Sequence, residues 1–167
     1  MPHSRGHASC MRNFSSLLAV LALSLAACGG TSTAVTSTTG PVTCDGGACA
    51  CSTGTCGQTC GAACGLTCNS ATRCDQTCTG SACSLDCNSV SGCAQRCEGG
   101  GCNVQCNSVS GTGCTLDCPG GNCTLTCNST QSCRITNCTR GCTLRCTSTS
   151  TCENSCANAD AGCVTQR

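Results

Sequence analysis

The stretch CSLDCNSVSG, Cys83 to Gly92, runs directly into CAQRCEGGG, Cys93 to Gly101. In an extended chain, positions one, three and five of Cys-x-Leu-x-Cys share a face. Cys83, Leu85 and Cys87 then point one way, and Ser84 and Asp86 the other. Helical spacing would also bring cysteines at i and i+4 together, but units of about ten residues broken by Asn-Ser or Gly-Gly leave no room for a stable helix. The abundant Ser, Thr and Gly favour turns over helix interiors.

Both kinds of unit recur. The first, Cys-x-aliphatic-x-Cys usually followed by Asn-Ser, runs from Cys64 to Cys68, Cys83 to Cys87, Cys102 to Cys106, Cys123 to Cys127 and Cys142 to Cys146. The second, often Gly-rich, runs from Cys74 to Cys78, Cys93 to Cys97, Cys114 to Cys118, Cys133 to Cys138 and Cys152 to Cys156. One of each makes a repeat of 19 or 21 residues. Two five-residue strands and two tight turns predict one coil of an all-β, disulfide-rich β-solenoid. The alternative is an irregular disulfide-rich array without a continuous sheet.

Columns support the register. Leu66, Leu85, Val104, Leu125 and Leu144 share an inner position. Asn69, Asn88, Asn107 and Asn128 share a turn position, which Thr147 breaks. Stacked Asn amides can hydrogen-bond along the axis, or Asn can simply tolerate a left-handed turn. In the second unit the column reads Gln58, Gln76, Gln95, Leu116, Ile135, Asn154. Buried amides need partners, so these Gln either form a ladder or mark a wetter face.

The chain holds 28 cysteines, and all except Cys10 and Cys28 lie between Cys44 and Cys163. Cys44, Cys49, Cys51, Cys56, Cys60 and Cys163 complete the set outside the regular units. Such density points to an oxidising compartment and a disulfide framework. Two cysteines at i and i+4 of one strand are about 13 Å apart, beyond the reach of a disulfide. They must pair with the facing strand or an adjacent coil. Coils stacked at about 4.8 Å also fall within disulfide reach, so spacing leaves that choice open. Short Cys-rich coils of this sort resemble insect antifreeze β-helices in architecture alone.

The leader differs in kind. Basic residues His3, Arg5, His7 and Arg12 precede an apolar run from Phe14 to Ala27. That run is shorter than the roughly 20 residues a transmembrane helix needs and reads as a signal-peptide core. It ends Leu25-Ala26-Ala27-Cys28, which resembles the lipobox of bacterial lipoproteins. The resemblance implies cleavage before Cys28, a thioether-linked lipid on its thiol, and outer-membrane sorting, since Gly29 and Gly30 follow instead of Asp. Translation starts at Met1 or at Met11. The expected organisation is a signal peptide over 1–27, a lipidated Cys and Ser/Thr/Gly tether over 28–43, an irregular Cys-rich cap over 44–63, and the repeat domain with a short tail over 64–167.

From Cys28 onward the chain has no Phe, Tyr, Trp, Met, His or Lys. A Ser-His or Cys-His nucleophile pair cannot be built there. Six Arg against seven acidic residues form no basic face for nucleic acid, and no ring is present to stack on a base. Asp86 and Asp117 take outward strand positions, as expected of a solvated face. No cofactor motif appears. The expected role is therefore non-enzymatic: a structural or interaction module of the cell envelope, held by its lipid, with a protein or polysaccharide partner. The alternative is metal binding, similar to metallothioneins, although those favour Cys-x-Cys and Cys-x-x-Cys over the Cys-x3-Cys seen here. Ice binding would need a repeated Thr-x-Thr face, and the pair Thr124 and Thr126 is followed by Thr143 and Arg145.

Overall fold

A computed structural model of the chain describes residues 40–44, 47–156 and 162–167. The leader, the lipobox and the first part of the tether lie outside the described residues, as do residues 45–46 and 157–161. The described chain is all β, with strands β1 (Gly40–Cys44), β2 (Ala48–Cys51), β3 (Thr55–Cys60), β4 (Gly65–Asn69), β5 (Arg73–Cys78), β6 (Ser84–Asn88) and β7 (Gly92–Cys97). There follow β8 (Asn103–Asn107), β9 (Gly113–Asp117), β10 (Thr124–Asn128), β11 (Ser132–Cys138), β12 (Thr143–Thr147), β13 (Thr151–Cys156) and β14 (Val164–Gln166).

Odd-numbered strands form one seven-stranded sheet, sheet A, and even-numbered strands form sheet B. Every pairing is parallel, and the chain alternates between sheets at each step. This is the β-solenoid expected from the repeat, with two strands per coil. Period-two alternation puts Cys and aliphatic side chains inside, as in Ser84–Asn88, where Leu85 and Cys87 are buried while Ser84 is exposed.

The core is made chiefly of sulfur. Thirteen disulfides join consecutive cysteines, each spanning one corner between the end of one strand and the start of the next. The pairing open at the sequence level thus goes to the facing strand of the same coil, and stacked coils are not cross-linked. Cys118, for example, closes the corner with Cys123, not with Cys97 or Cys138 of the adjacent coils. Cys127 pairs with Cys133, Cys138 with Cys142, and Cys146 with Cys152. The reason is the short corner: it sets the facing cysteines at a Cα separation of 6.5 Å for both Cys118–Cys123 and Cys146–Cys152, with both thiols pointing inward. Sequence separations run from 4 (Cys60–Cys64) to 8 (Cys106–Cys114). Two columns of disulfides therefore run along the rod, one at each corner. Between them lie Leu66, Leu85, Val104, Leu125 and Leu144 from sheet B and Gln58, Gln76, Gln95, Leu116 and Ile135 from sheet A, all buried.

The glutamines resolve into a ladder. Gln76 Nε2 donates to Gln58 Oε1 at 3.0 Å, and Gln95 Nε2 donates to Gln76 Oε1 at 2.9 Å. Gln58 and Gln76 also donate across the core to the carbonyls of Thr67 and Asp86. The wetter-face alternative does not apply to these three, which are at most 3 % exposed.

Two expectations need correction. The segment 44–63 is not irregular: β2 pairs with β4 and β3 with β5 in the register of the later coils. The tether stops short of Thr43, because Gly40–Cys44 is a strand paired to Thr55–Cys60. Between Cys133 and Cys138 the spacing is one residue longer than elsewhere, and the register shifts between Ile135 and Cys138. Asn137 takes up that extra residue at φ 52°, as a β-bulge does.

Candidate functional site

The regular corners carry a left-handed residue at a shared position, and some, such as Gly100–Gly101 and Gly121–Asn122, carry two. At the corners leading into sheet A these are Ser70, Ser89, Ser108, Ser129 and Ser148, at φ 52–58°. At the opposite corners they are Ala63, Ala82, Gly101, Asn122, Gly141 and Gly162. Their amides donate to the next coil, as in Ser70 N to Asn88 O at 2.9 Å and Ser89 N to Asn107 O at 3.0 Å. The residue before each Ser is thereby freed from the turn. Asn88 Nδ2 donates to Asn69 Oδ1 at 3.1 Å, and Asn107 Nδ2 to Asn88 Oδ1 at 2.8 Å. Of the two readings of the Asn column, the ladder is the one observed for Asn69, Asn88 and Asn107. The left-handed role falls one residue later, on Ser, a position that composition did not single out.

With the interior closed by disulfides, the surfaces open to a partner are the two outer faces. On sheet A, one row aligns Gly57, Asp75, Ala94, Thr115, Arg134 and Glu153, and a second aligns Thr59, Thr77, Arg96, Asp117 and Thr136. Its charges neutralise one another locally. Arg73 pairs with Asp75 at 3.1 Å and Arg134 with Glu153 at 2.6 Å, while Arg96 pairs with both Glu98 and Asp117. Asp117 is half-buried and also accepts from Asn137 Nδ2 at 2.8 Å. It belongs to this network rather than to a freely solvated face.

Sheet B presents a nearly neutral surface. Gly65, Ser84, Asn103, Thr124 and Thr143 form one outer row, and Thr67, Asp86, Gln105, Thr126 and Arg145 the next, beside the Asn ladder. Asp86 sits between Thr67 and Gln105 without an Arg across from it. Burial pushes its carboxyl above the ordinary carboxylate value, since desolvation disfavours the charged form. Near the two-residue longer coil, a shallow depression is lined by Ser108, Val109, Ser110, Ser129 and Gln131.

The sulfurs themselves come close between coils, and at one place among the described residues all four sulfurs of two disulfides do so. Cys60, Cys64, Cys78 and Cys83 are all buried, and their four Sγ atoms lie within 4.8 Å of one another. No family model, curated protein or solved structure matches the chain. What it does must therefore be argued from its own surfaces. Cys28, the residue expected to carry lipid, lies outside the described residues.

Proposed function

We propose that the chain is a non-enzymatic, lipid-anchored protein of the bacterial cell envelope, tethered through Cys28 and presenting a stiff rod as an interaction module. The observation that carries this reading is the stapling of every corner of the described rod by a disulfide. Such a rod holds its shape in an oxidising, extracytoplasmic setting. The leader ending Leu25-Ala26-Ala27-Cys28 supplies the anchor, and multiple acyl chains give stable membrane attachment.

The partner that best suits sheet B is a hydroxyl-rich polysaccharide. Protein interfaces are anchored by buried aromatic and Arg side chains. This face instead offers Asn88, Asn107, Thr124, Thr126 and Gln105 in straight rows, with Arg145 at one end. Amides and hydroxyls in register supply both donors and acceptors to sugar hydroxyls.

Labelling cells with radioactive palmitate tests the anchor: label enters the wild-type chain and is absent from Cys28→Ser. Retained label in that variant overturns the lipobox reading. Sedimentation of the purified domain with insoluble envelope polysaccharide tests the face. Binding lost in Asn88→Ala/Asn107→Ala supports the assignment, and undiminished binding there overturns it.

A further inference from the structure

We propose that Cys60, Cys64, Cys78 and Cys83 form a latent tetrathiolate site for a borderline-soft divalent cation, zinc or cadmium, when their two disulfides are opened. The inference concerns the sulfur column alone and stands independently of the anchor. Non-bonded sulfurs of the two disulfides already lie close, with Cys64 Sγ 3.1 Å and Cys60 Sγ 3.9 Å from Cys83 Sγ. A tetrahedral zinc with Zn–S of about 2.3 Å sets its thiolates about 3.8 Å apart. Closing the cage then asks the two sulfurs of each opened disulfide to part by about 1.8 Å, from bonded contact to that spacing, while the Cys83 contacts to Cys60 and Cys64 change by less than about 1 Å.

Other sulfur groups in the described rod are incomplete. Cys56/Cys68/Cys74, Cys78/Cys97/Cys102, Cys106/Cys114/Cys127 and Cys138/Cys156/Cys163 each combine one disulfide with a single sulfur of its neighbour. In the four-sulfur group both sulfurs of each disulfide lie close to both sulfurs of the other. Cys60 and Cys64 are only four residues apart, and this corner is drawn onto the next by Ala63 N to Ser81 O, Thr79 N to Cys60 O and Ser84 N to Cys64 O, each 2.9 Å. Access is short as well: Gly61, Ala62, Ala63, Ser81 and Ala82, which cover the sulfurs at these corners, are exposed and small.

The chemistry balances with a dithiol as reductant. Two dithiol molecules deliver four electrons and four protons, opening Cys60–Cys64 and Cys78–Cys83 to four thiols and closing to two disulfides of their own. One divalent cation then forms four metal–sulfur bonds and releases the four thiol protons. The neighbouring disulfides Cys51–Cys56, Cys68–Cys74, Cys87–Cys93 and Cys97–Cys102 hold the flanking corners meanwhile.

The test uses the full oxidised chain, treated with enough dithiothreitol to open two disulfides in the presence of one equivalent of Cd²⁺. After desalting, bound cadmium is counted, free thiols are alkylated, and the shielded cysteines are mapped by peptide mass spectrometry. One cadmium per chain, with Cys60, Cys64, Cys78 and Cys83 shielded until acid releases the metal, is the expected result. Cys64→Ser/Cys83→Ser loses the bound cadmium, whereas Cys106→Ser/Cys114→Ser, which removes a disulfide from a distant corner, keeps it. No retained cadmium, shielding at other cysteines, or undiminished retention in Cys64→Ser/Cys83→Ser overturns the site.

Discussion

Gln95 Nε2 lies 2.9 Å from Gln76 Oε1, and both side chains are buried among sulfur and leucine. The pair is the upper rung of a ladder that reaches down to Gln58.

Replacing one rung alone is therefore costly. Gln76→Leu leaves Gln95 Nε2 without its acceptor and Gln58 Oε1 without its donor. An orphaned buried polar group costs about 1–3 kcal/mol, so Gln76→Leu lowers stability by roughly that amount. Replacing all three Gln by Leu recovers most of it, because Leu116 and Ile135 already continue the column. Guanidinium unfolding under non-reducing conditions checks both. Equal loss in the single and triple variants would sink the ladder argument.

The left-handed serines make a second prediction. Ser89 sits at φ 54°, where a β-branched side chain is strained. Ser89→Val lowers stability by about 1–2 kcal/mol, while Ser89→Gly is neutral or stabilising. The comparison is read from melting temperatures at fixed pH. A tolerated Val would mean that the corner does not hold its backbone as described.

Corner spacing sets a third. A Cβ added at Gly120 would run into Gly100 N and Gly99 C, backbone against backbone, well inside ordinary contact distance. Gly120→Ala therefore forces two coils apart and costs at least about 1–3 kcal/mol. A Cβ at Gly61 meets nothing within 4 Å, so Gly61→Ala is neutral or gains up to about 1 kcal/mol from a less flexible unfolded chain. Denaturant midpoints of the two variants, measured side by side, check the contrast.

The fourth concerns pH. Burial raises the folded-state pKa of Asp86 above its ordinary value, so the folded chain binds that proton more readily than the unfolded one. The charged carboxylate destabilises the fold at neutral pH. That penalty is relieved as pH falls through the raised folded pKa toward the unfolded one. Asp86→Asn is expected to raise the melting temperature at pH 7, and its advantage over the wild type shrinks as pH falls through the raised pKa of Asp86. An advantage that stays undiminished or grows at low pH would contradict this.

Much of this architecture was legible in Cys-x-Leu-x-Cys, because a period of two with cysteine and leucine on one face has few other solutions. Leu66 through Leu144 fell into one column because the units between them are nearly constant in length. Disulfide pairing was not legible: a facing strand and a stacked coil both fall within reach of a cysteine. Nor was the four-sulfur group, which depends on how the Cys60–Cys64 and Cys78–Cys83 corners stack on one another. The Asn column pointed to the right residues, but its left-handed neighbour was hidden, since Ser is an ordinary residue in any turn. The stretch 44–63 looked irregular because Cys49 takes the place that Leu66 holds one coil later, although the register is shared.

The pairing of each cysteine with the consecutive one across its corner has an evolutionary consequence. Cys64 to Ala82 carries four cysteines, and inserting a second copy of that segment would leave every cysteine with a mate across its corner. Whole units can thus be gained or lost by slippage between similar gene segments without stranding a sulfur. The length of the rod is open to adjustment in steps of one coil, with the chemistry of each corner unchanged.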